Sequence, residues 1–311
     1  MIVKKHLLAN KQPFYDCTVS AGVRLAKFKN CNFISVYPCC VYQFKHIDKP
    51  LGIINFNELK NIDLFSRLEQ FRKVGQSYND IYTNCVNYHD TEANCCNYYC
   101  PWREFNLKTI DVSILESCNL NCTMCEYDHR KNDEMADYYF YILNAIKNHQ
   151  LNKIYLTQVG EPFFYKRQTM EYLQRLTPND TKEVIIVTNA SLLTDADIEL
   201  LAEIHKTVKM RFVISFDGIT KTTYETQRVY SNYEKVMHNA IKLNEYGMLI
   251  GINYVVNDLT KSELITAYNY WMTLNPYIVF AGLPDAHYYD RMYNTPEFQE
   301  LLRLQSAKKH C

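Results

Sequence analysis

The sequence predicts an α/β chain: a partial (β/α)6 barrel of the TIM type over residues 106–311, preceded by a small Cys-rich α+β domain over residues 1–105. Three observations lead there. The twelve cysteines are unevenly spread: eight precede residue 105, three stand at 118, 122 and 125, and the last is Cys311. From about residue 108 onward, six apolar runs of strand length alternate with amphipathic runs of helix length. Repeated β/α units build a parallel sheet with helices outside, and six units rather than eight leave that sheet open. The first of these apolar runs leads straight into Glu116-Ser-Cys-Asn-Leu-Asn-Cys-Thr-Met-Cys-Glu-Tyr127. That is the C-terminal end of a strand, where barrels of this kind carry their chemistry.

The elements follow in order. In the first hundred residues, Asn32–Pro38 reads as a short β-run leading into Cys39 and Cys40. Residues 57–75 read as a helix, because Leu59, Ile62, Leu64, Leu68 and Phe71 recur near helical spacing. A second cysteine-dense patch runs from Cys85 to Cys100, and a segment with so few long apolar elements gains stability from a metal. Thr109–Leu115 is the first barrel strand, followed by a helix over 133–148 with Tyr139, Leu143 and Ile146 on one face. Lys153–Thr157 is the second strand, with a helix over 166–176, and Glu183–Thr188 is the third. Thr194 caps the next helix and places Asp195 and Asp197 in its first turn, where the helix dipole favours anions. Arg211–Phe216 is the fourth strand; its helix over 231–246 turns Val236, Ala240 and Leu243 inward and stops at Gly247. Leu249–Val256, a helix over 261–273, Tyr277–Phe280 and a helix over 295–308 complete the chain.

Bulk composition excludes several function classes. Lys+Arg and Asp+Glu balance at 34 each, so no global field recruits nucleic acid or an anionic membrane. No run approaches the ~18 apolar residues of a membrane span, and Met1–His6 lacks the apolar core of a signal peptide. A cytoplasmic protein with no membrane and no nucleic-acid partner is expected. In a reducing compartment the cysteines read as metal ligands rather than disulfides.

The Cys-x3-Cys-x2-Cys spacing of Cys118, Cys122 and Cys125 can present three thiolates to three irons of one [4Fe–4S] cluster and leave the fourth iron open. The alternatives are a zinc site or a chance grouping in a Cys-rich chain. The other strand ends supply more polar residues: Gln158-Val-Gly-Glu-Pro162, Thr188-Asn189, Ser215-Phe-Asp-Gly218 with Arg228 beyond it, and Val256-Asn-Asp258.

These residues, in this order, resemble the radical S-adenosylmethionine (SAM) superfamily over about residues 108–285. The three-Cys loop matches its signature, Gly160-Glu161-Pro162 the end of its Gly-Gly-Glu-Pro motif, and Thr188-Asn189 and Ser215–Thr220 its third and fourth strand segments. The resemblance implies that the SAM amino and carboxylate groups chelate the open iron. Reduction of the cluster then cleaves SAM to a 5′-deoxyadenosyl radical that abstracts hydrogen from substrate. The cofactors carry that chemistry and the protein binds and orients them. By position, Gly160 and Glu161 accept from the SAM amino group, while Ser215 and Arg228 hold its ribose or carboxylate. Asn189 and Asn257 supply further polar contacts. Two positions depart from the pattern: Val159 replaces the first Gly of the usual pair, and Met124 stands where an aromatic often faces adenine, as an apolar, adaptable substitute. Plainer readings stand beside these: Arg228 as a solvated helix arginine, Ser215 as a strand-end cap, Asp217-Gly218 as turn chemistry, and His129 and Arg130 as surface residues.

Cys17, then Tyr37-Pro-Cys-Cys40, Leu51-Gly-Ile-Ile54 and Cys85 resemble the twitch/SPASM auxiliary-cluster modules of many radical SAM enzymes, although Tyr88 stands where a second Cys-x2-Cys pair is usual. The resemblance implies one auxiliary [4Fe–4S] cluster with Cys17, Cys39 or Cys40, Cys85 and Cys95 or Cys96 as ligands. A structural zinc site is the alternative. Cys31 and Cys100 read as buried thiols and Cys311 as a frayed terminus. Such modules often accompany peptide modification. The leading expectation is therefore a radical SAM enzyme of oxidoreductase type acting on a peptide, by cross-linking, epimerisation or oxidation. A reductant such as flavodoxin or ferredoxin is its implied partner. A small-molecule substrate is the alternative within enzymes. A non-catalytic iron–sulfur or zinc scaffold is the alternative of another class.

Overall fold

Nine strands lie side by side in one sheet among the residues that the computed structural model describes, which are 22–26, 33–37, 51–76, 107–125, 133–157, 160–285 and 289–308. In chain order they are β1 (Gly22–Ala26), β2 (Phe33–Tyr37), β3 (Gly52–Asn55), β4 (Thr109–Ser113), β5 (Leu151–Thr157), β6 (Thr181–Thr188), β7 (Lys209–Ser215), β8 (Leu249–Val256) and β9 (Val279–Pro284). Their spatial order is β3-β2-β1-β4-β5-β6-β7-β8-β9. From β4 to β9 every neighbouring pair is parallel and in sequence order, the open partial barrel expected of six β/α units.

The helices between the strands follow the expected pattern with shifted ends. They are α1 (Leu64–Gln76), α2 (Asp133–Ala145), α3 (Lys166–Gln174), α4 (Asp195–His205), α5 (Lys221–Gln227), α6 (Tyr233–Glu245), α7 (Leu264–Leu274), α8 (Tyr289–Tyr293) and α9 (Pro296–Lys308). The helix expected over 57–75 divides into a 3-10 turn, Leu59–Asn61, and α1. Asp63 restarts it, accepting from the Ser66 backbone N–H at 3.1 Å. Gly247 ends α6 with φ +68°, and the Met248 N–H returns to the Leu243 carbonyl at 2.9 Å. The short helices α5 and α8 have no counterpart in the sequence reading.

Thr194 caps α4 as expected. Its hydroxyl accepts from Asp197 N–H at 3.3 Å, while the Asp197 carboxylate accepts from Thr194 N–H at 2.8 Å. This is a capping box with aspartate in place of the usual glutamate. Thr194→Ala is expected to lower stability by ~1 kcal/mol, read as a lower urea midpoint with no change in bound iron.

The sheet extends further than the six-unit pattern foretells. Strand β1 pairs in parallel with β4, from Gly22↔Thr109 to Ala26↔Ser113, and β2 and β3 continue outward antiparallel. Leu25, Ile34, Val36 and Ile54 are buried in the same core cluster as the barrel residues Ile110, Ile154 and Val184. The described part of the first hundred residues thus shares one sheet and one core with the barrel.

Strand alternation gives the barrel sheet two faces. Ile154, Leu156, Val184, Ile186, Phe212 and Ile214 pack beneath the helices. Tyr155, Ile185 and Val213 form a second, small buried cluster on the opposite, inner face. Closer to the strand starts on this inner face, Glu183 is flanked by Lys153 at 3.6 Å and Arg211 at 3.1 Å. Charge and apolar side chains thus fill the lower inner face, and the opposite rim is left for the loops that follow the strands. No helix among the described residues is long and apolar enough to cross a membrane.

Candidate functional site at the C-terminal rim

Strand β4 ends at Ser113 and the chain stays buried through Ile114 and Leu115 before the cysteine loop begins. The loop is held from both sides by backbone. On one side, Gly160 N–H donates to Leu115 O and Glu161 N–H to Ser117 O, both at 2.8 Å. On the other, Asn121 N–H donates to Val229 O at 3.1 Å and Thr123 N–H to Gln227 O at 2.9 Å. Side chains reinforce the second clamp: Gln227 Oε1 accepts from Thr123 Oγ1 at 2.9 Å and from Asn257 Nδ2 at 3.1 Å. The loop, the end of α5 and the end of β8 are thereby joined.

Gly160 is dictated by this packing. A Cβ there would lie 2.4 Å from Ser117 O, 2.7 Å from Glu116 C and 2.8 Å from Leu115 O. All three are backbone atoms of the segment that launches the cysteine loop. The adjoining Glu161 is only 1% exposed. Its Oε1 accepts from Phe163 N–H at 3.0 Å and Thr188 Oγ1 at 2.6 Å, and its Oε2 from Asn189 N–H at 2.8 Å. Burial pushes this carboxyl upward, opposed by those hydrogen bonds. Glu161 therefore ties the end of β5 to the end of β6, and among the described residues one acceptor position stays open on Oε2.

Cys118, Cys122 and Cys125 are half-buried thiols. Burial raises Cys118 to about 12, with Glu161, Cys122 and Cys125 adding to the shift. Burial also raises Cys122, against the pull of Arg228. Thiolates in such a place need a cation, so metal binding would displace protons. Among the described residues no three His, Cys, Asp or Glu side chains gather to hold a single metal ion. Three thiols on one loop fit a multi-iron cluster in which each sulfur takes its own iron.

Two side chains from other rim loops reach these sulfurs. Asn189 Nδ2 lies 3.7 Å from Cys118 Sγ and Arg228 Nη1 lies 3.8 Å from Cys122 Sγ. Arg228 Nη2 also pairs with Asp217 Oδ2 at 2.7 Å, and Asp217 Oδ1 accepts from Val255 N–H at 2.6 Å. Arg228 is 7% exposed and Asp217 is 0% exposed, which replaces the solvated-arginine reading with a buried ion pair. Gly218 takes φ +102°, where glycine is favoured, and Asp217 beside it is half of that pair. For Arg228, burial works against the charge, and Asp217 and Cys122 outweigh it and hold the guanidinium protonated.

The remaining expected residues sit on the same rim. Ser215 ends β7, half-buried and in register with Asn253. Asn257 follows β8, where its Oδ1 accepts from Leu259 N–H at 3.0 Å. Asn189 Oδ1 accepts from Ser191 N–H at 2.9 Å, and Met124 is half-buried within the cysteine loop. Val159, His129, Arg130 and the N-terminal candidates Cys17, Cys39, Cys40, Cys85, Cys95 and Cys96 lie outside the described residues. Sequence reasoning missed the Thr123–Gln227–Asn257 clamp. Its one available signal was Thr220, which caps α5 by accepting from Thr223 N–H.

The family model described as Radical SAM superfamily matches residues 112–270. A search of curated proteins gives no match. Among solved structures, Streptococcus suis SuiB is similar over 64% of this chain and 45% of its own, at 19% identity and a TM-score of 0.47. The same protein bound to S-adenosylmethionine is similar over 57% and 39%, at 19% identity and a TM-score of 0.44. Native anSMEcpe with bound AdoMet and Cp18Cys peptide is similar over 57% and 50%, at 18% identity and a TM-score of 0.42. The chain spans half or less of the length of these structures.

Proposed function

Because the chain belongs to the radical SAM superfamily, whose enzymes use a [4Fe–4S] cluster and SAM, we propose that it removes a hydrogen atom from a peptide, with cross-linking, epimerisation or oxidation as the outcome. The observation that carries the chemistry is the loop of three cysteines clamped between residues 160–161 and 227–229. The peptide substrate is supported by the order of Cys17, Cys39/Cys40 and Cys85, which resembles auxiliary-cluster modules that often accompany peptide modification.

When bound, the cluster and SAM supply a 5′-deoxyadenosyl radical able to take hydrogen from carbon. Cys118, Cys122 and Cys125 would hold one iron each. The Gly160 carbonyl and the open position on Glu161 Oε2 would accept from the SAM amino group, and Ser215 would hold the ribose. Met124 would lie against adenine, with Asn189 and Asn257 as further polar contacts. The first electron would come from a flavodoxin- or ferredoxin-type reductant. An oxidised product requires that the substrate lose a second electron, which an auxiliary cluster on the N-terminal cysteines would accept. Twelve cysteines and an oxygen-sensitive centre suit a reducing cytoplasm.

The test is anaerobic incubation of reconstituted full-length protein with dithionite and SAM, with and without a peptide encoded by a short neighbouring reading frame. The expected result is 5′-deoxyadenosine, increased by the peptide, together with hydrogen loss or a new linkage in that peptide. Absence of 5′-deoxyadenosine from protein with a full complement of iron would sink the chemistry. Stimulation by small molecules alone would move the substrate to that class.

A further inference from the structure

The Arg228–Asp217 pair is built too deeply, and too close to one sulfur, to be only a structural ion pair. We infer that it sets the reduction potential of the cluster through Cys122 Sγ, which makes Arg228 a positioning residue for the cluster. This rests on Cys122 being a cluster ligand, as proposed above.

The guanidinium is directed in two ways at once, Nη1 toward Cys122 Sγ at 3.8 Å and Nη2 toward Asp217 Oδ2 at 2.7 Å. Its backbone is fixed as well, because Arg228 N–H donates to Tyr224 O at 2.8 Å. The residues on either side of it, Gln227 and Val229, give their carbonyls to Thr123 and Asn121 of the cysteine loop. The backbone that clamps the loop therefore also sets the distance from guanidinium to sulfur. With Arg228 7% and Asp217 0% exposed, solvent screening is weak and both charges act strongly on a nearby centre.

Adding an electron makes the cluster more negative. A cation and N–H donor at a ligand sulfur stabilise that state and raise the potential, since hydrogen bonds to sulfur and local charge are what tune such centres. Asp217 lies behind Arg228 and works the other way. Asn189, a neutral donor 3.7 Å from Cys118 Sγ, provides an uncharged comparison on a second sulfur.

The experiment is a redox titration of the SAM-free, reconstituted protein followed by electron paramagnetic resonance. Arg228→Met is expected to lower the potential by about tenfold in the reduction equilibrium, ~59 mV for one electron. Asp217→Asn is expected to raise it by a comparable factor, and the double variant to fall between. Opposite shifts from two halves of one ion pair are a signature that loss of packing does not produce. Arg228→Met leaves Asp217 buried and alone, which can prevent folding; Asp217→Asn and the double variant then decide the matter. Shifts of the same sign, or unchanged potentials at wild-type iron content, overturn the inference. So does an Arg228→Met protein of unchanged potential whose KM for SAM rises. A wild-type protein that holds no cluster overturns the proposed function instead.

Discussion

Alanine at Cys118, Cys122 and Cys125 together is expected to abolish 5′-deoxyadenosine formation while leaving the chain folded. The loop is held by backbone hydrogen bonds to Gly160, Glu161, Gln227 and Val229, none of which needs a cysteine side chain. The thiols are half-buried, so their removal deletes donors rather than core. Circular dichroism should match that of the iron-free wild type. Iron should fall by one four-iron cluster, and iron that remains with iron–sulfur absorbance belongs to the N-terminal cysteines. Zinc in place of that iron would assign those cysteines to a structural metal site. Any 5′-deoxyadenosine from the triple variant would remove the loop from the chemistry.

The second large effect is expected from Gly160→Ala. One added methyl group would sit 2.4 Å from Ser117 O, and the atoms around it are backbone that cannot rotate away. Relief requires β5 and the cysteine loop to separate, which breaks the bonds from Gly160 N–H to Leu115 O and from Glu161 N–H to Ser117 O. Overpacking of this kind costs ~1–3 kcal/mol. A displacement of about 1 Å between reacting groups costs about 100-fold in rate. The measurements are the unfolding midpoint, iron content after reconstitution, and the rate of 5′-deoxyadenosine formation. An alanine variant with wild-type values in all three would contradict the close approach.

Much of the barrel was legible because its signals are local. Each barrel strand is an apolar run, and its rim residues follow it directly in sequence, so Cys118, Gly160, Asn189, Ser215 and Asn257 could be read off strand ends. The capping box at Thr194 and the stop at Gly247 needed only a few adjacent residues. What escaped was non-local. Pairing of β1 with β4 joins Gly22 to Thr109, and no periodicity in residues 22–26 announces a partner so far along the chain. The Asp217–Arg228 pair spans a seven-residue helix, Lys221–Gln227, too short and too polar to register as one. Without the pair in view, Arg228 reads as a SAM contact or, alternatively, a solvated helix arginine, and Asp217 as turn chemistry.

The clamp on the cysteine loop also bears on the order of events during synthesis. Thr123 meets Gln227 across 104 positions, and Asn121 meets Val229 beyond it. Bringing such distant partners together carries a loop-closure cost and slows folding. A ribosome that has released Cys118, Cys122 and Cys125 has still to make about a hundred more residues before the second clamp can close. Iron delivered to the nascent chain meets a loose loop held from one side at most, open to loss or exchange. Durable loading belongs to the stage after residue 229 has emerged, when the second clamp can close.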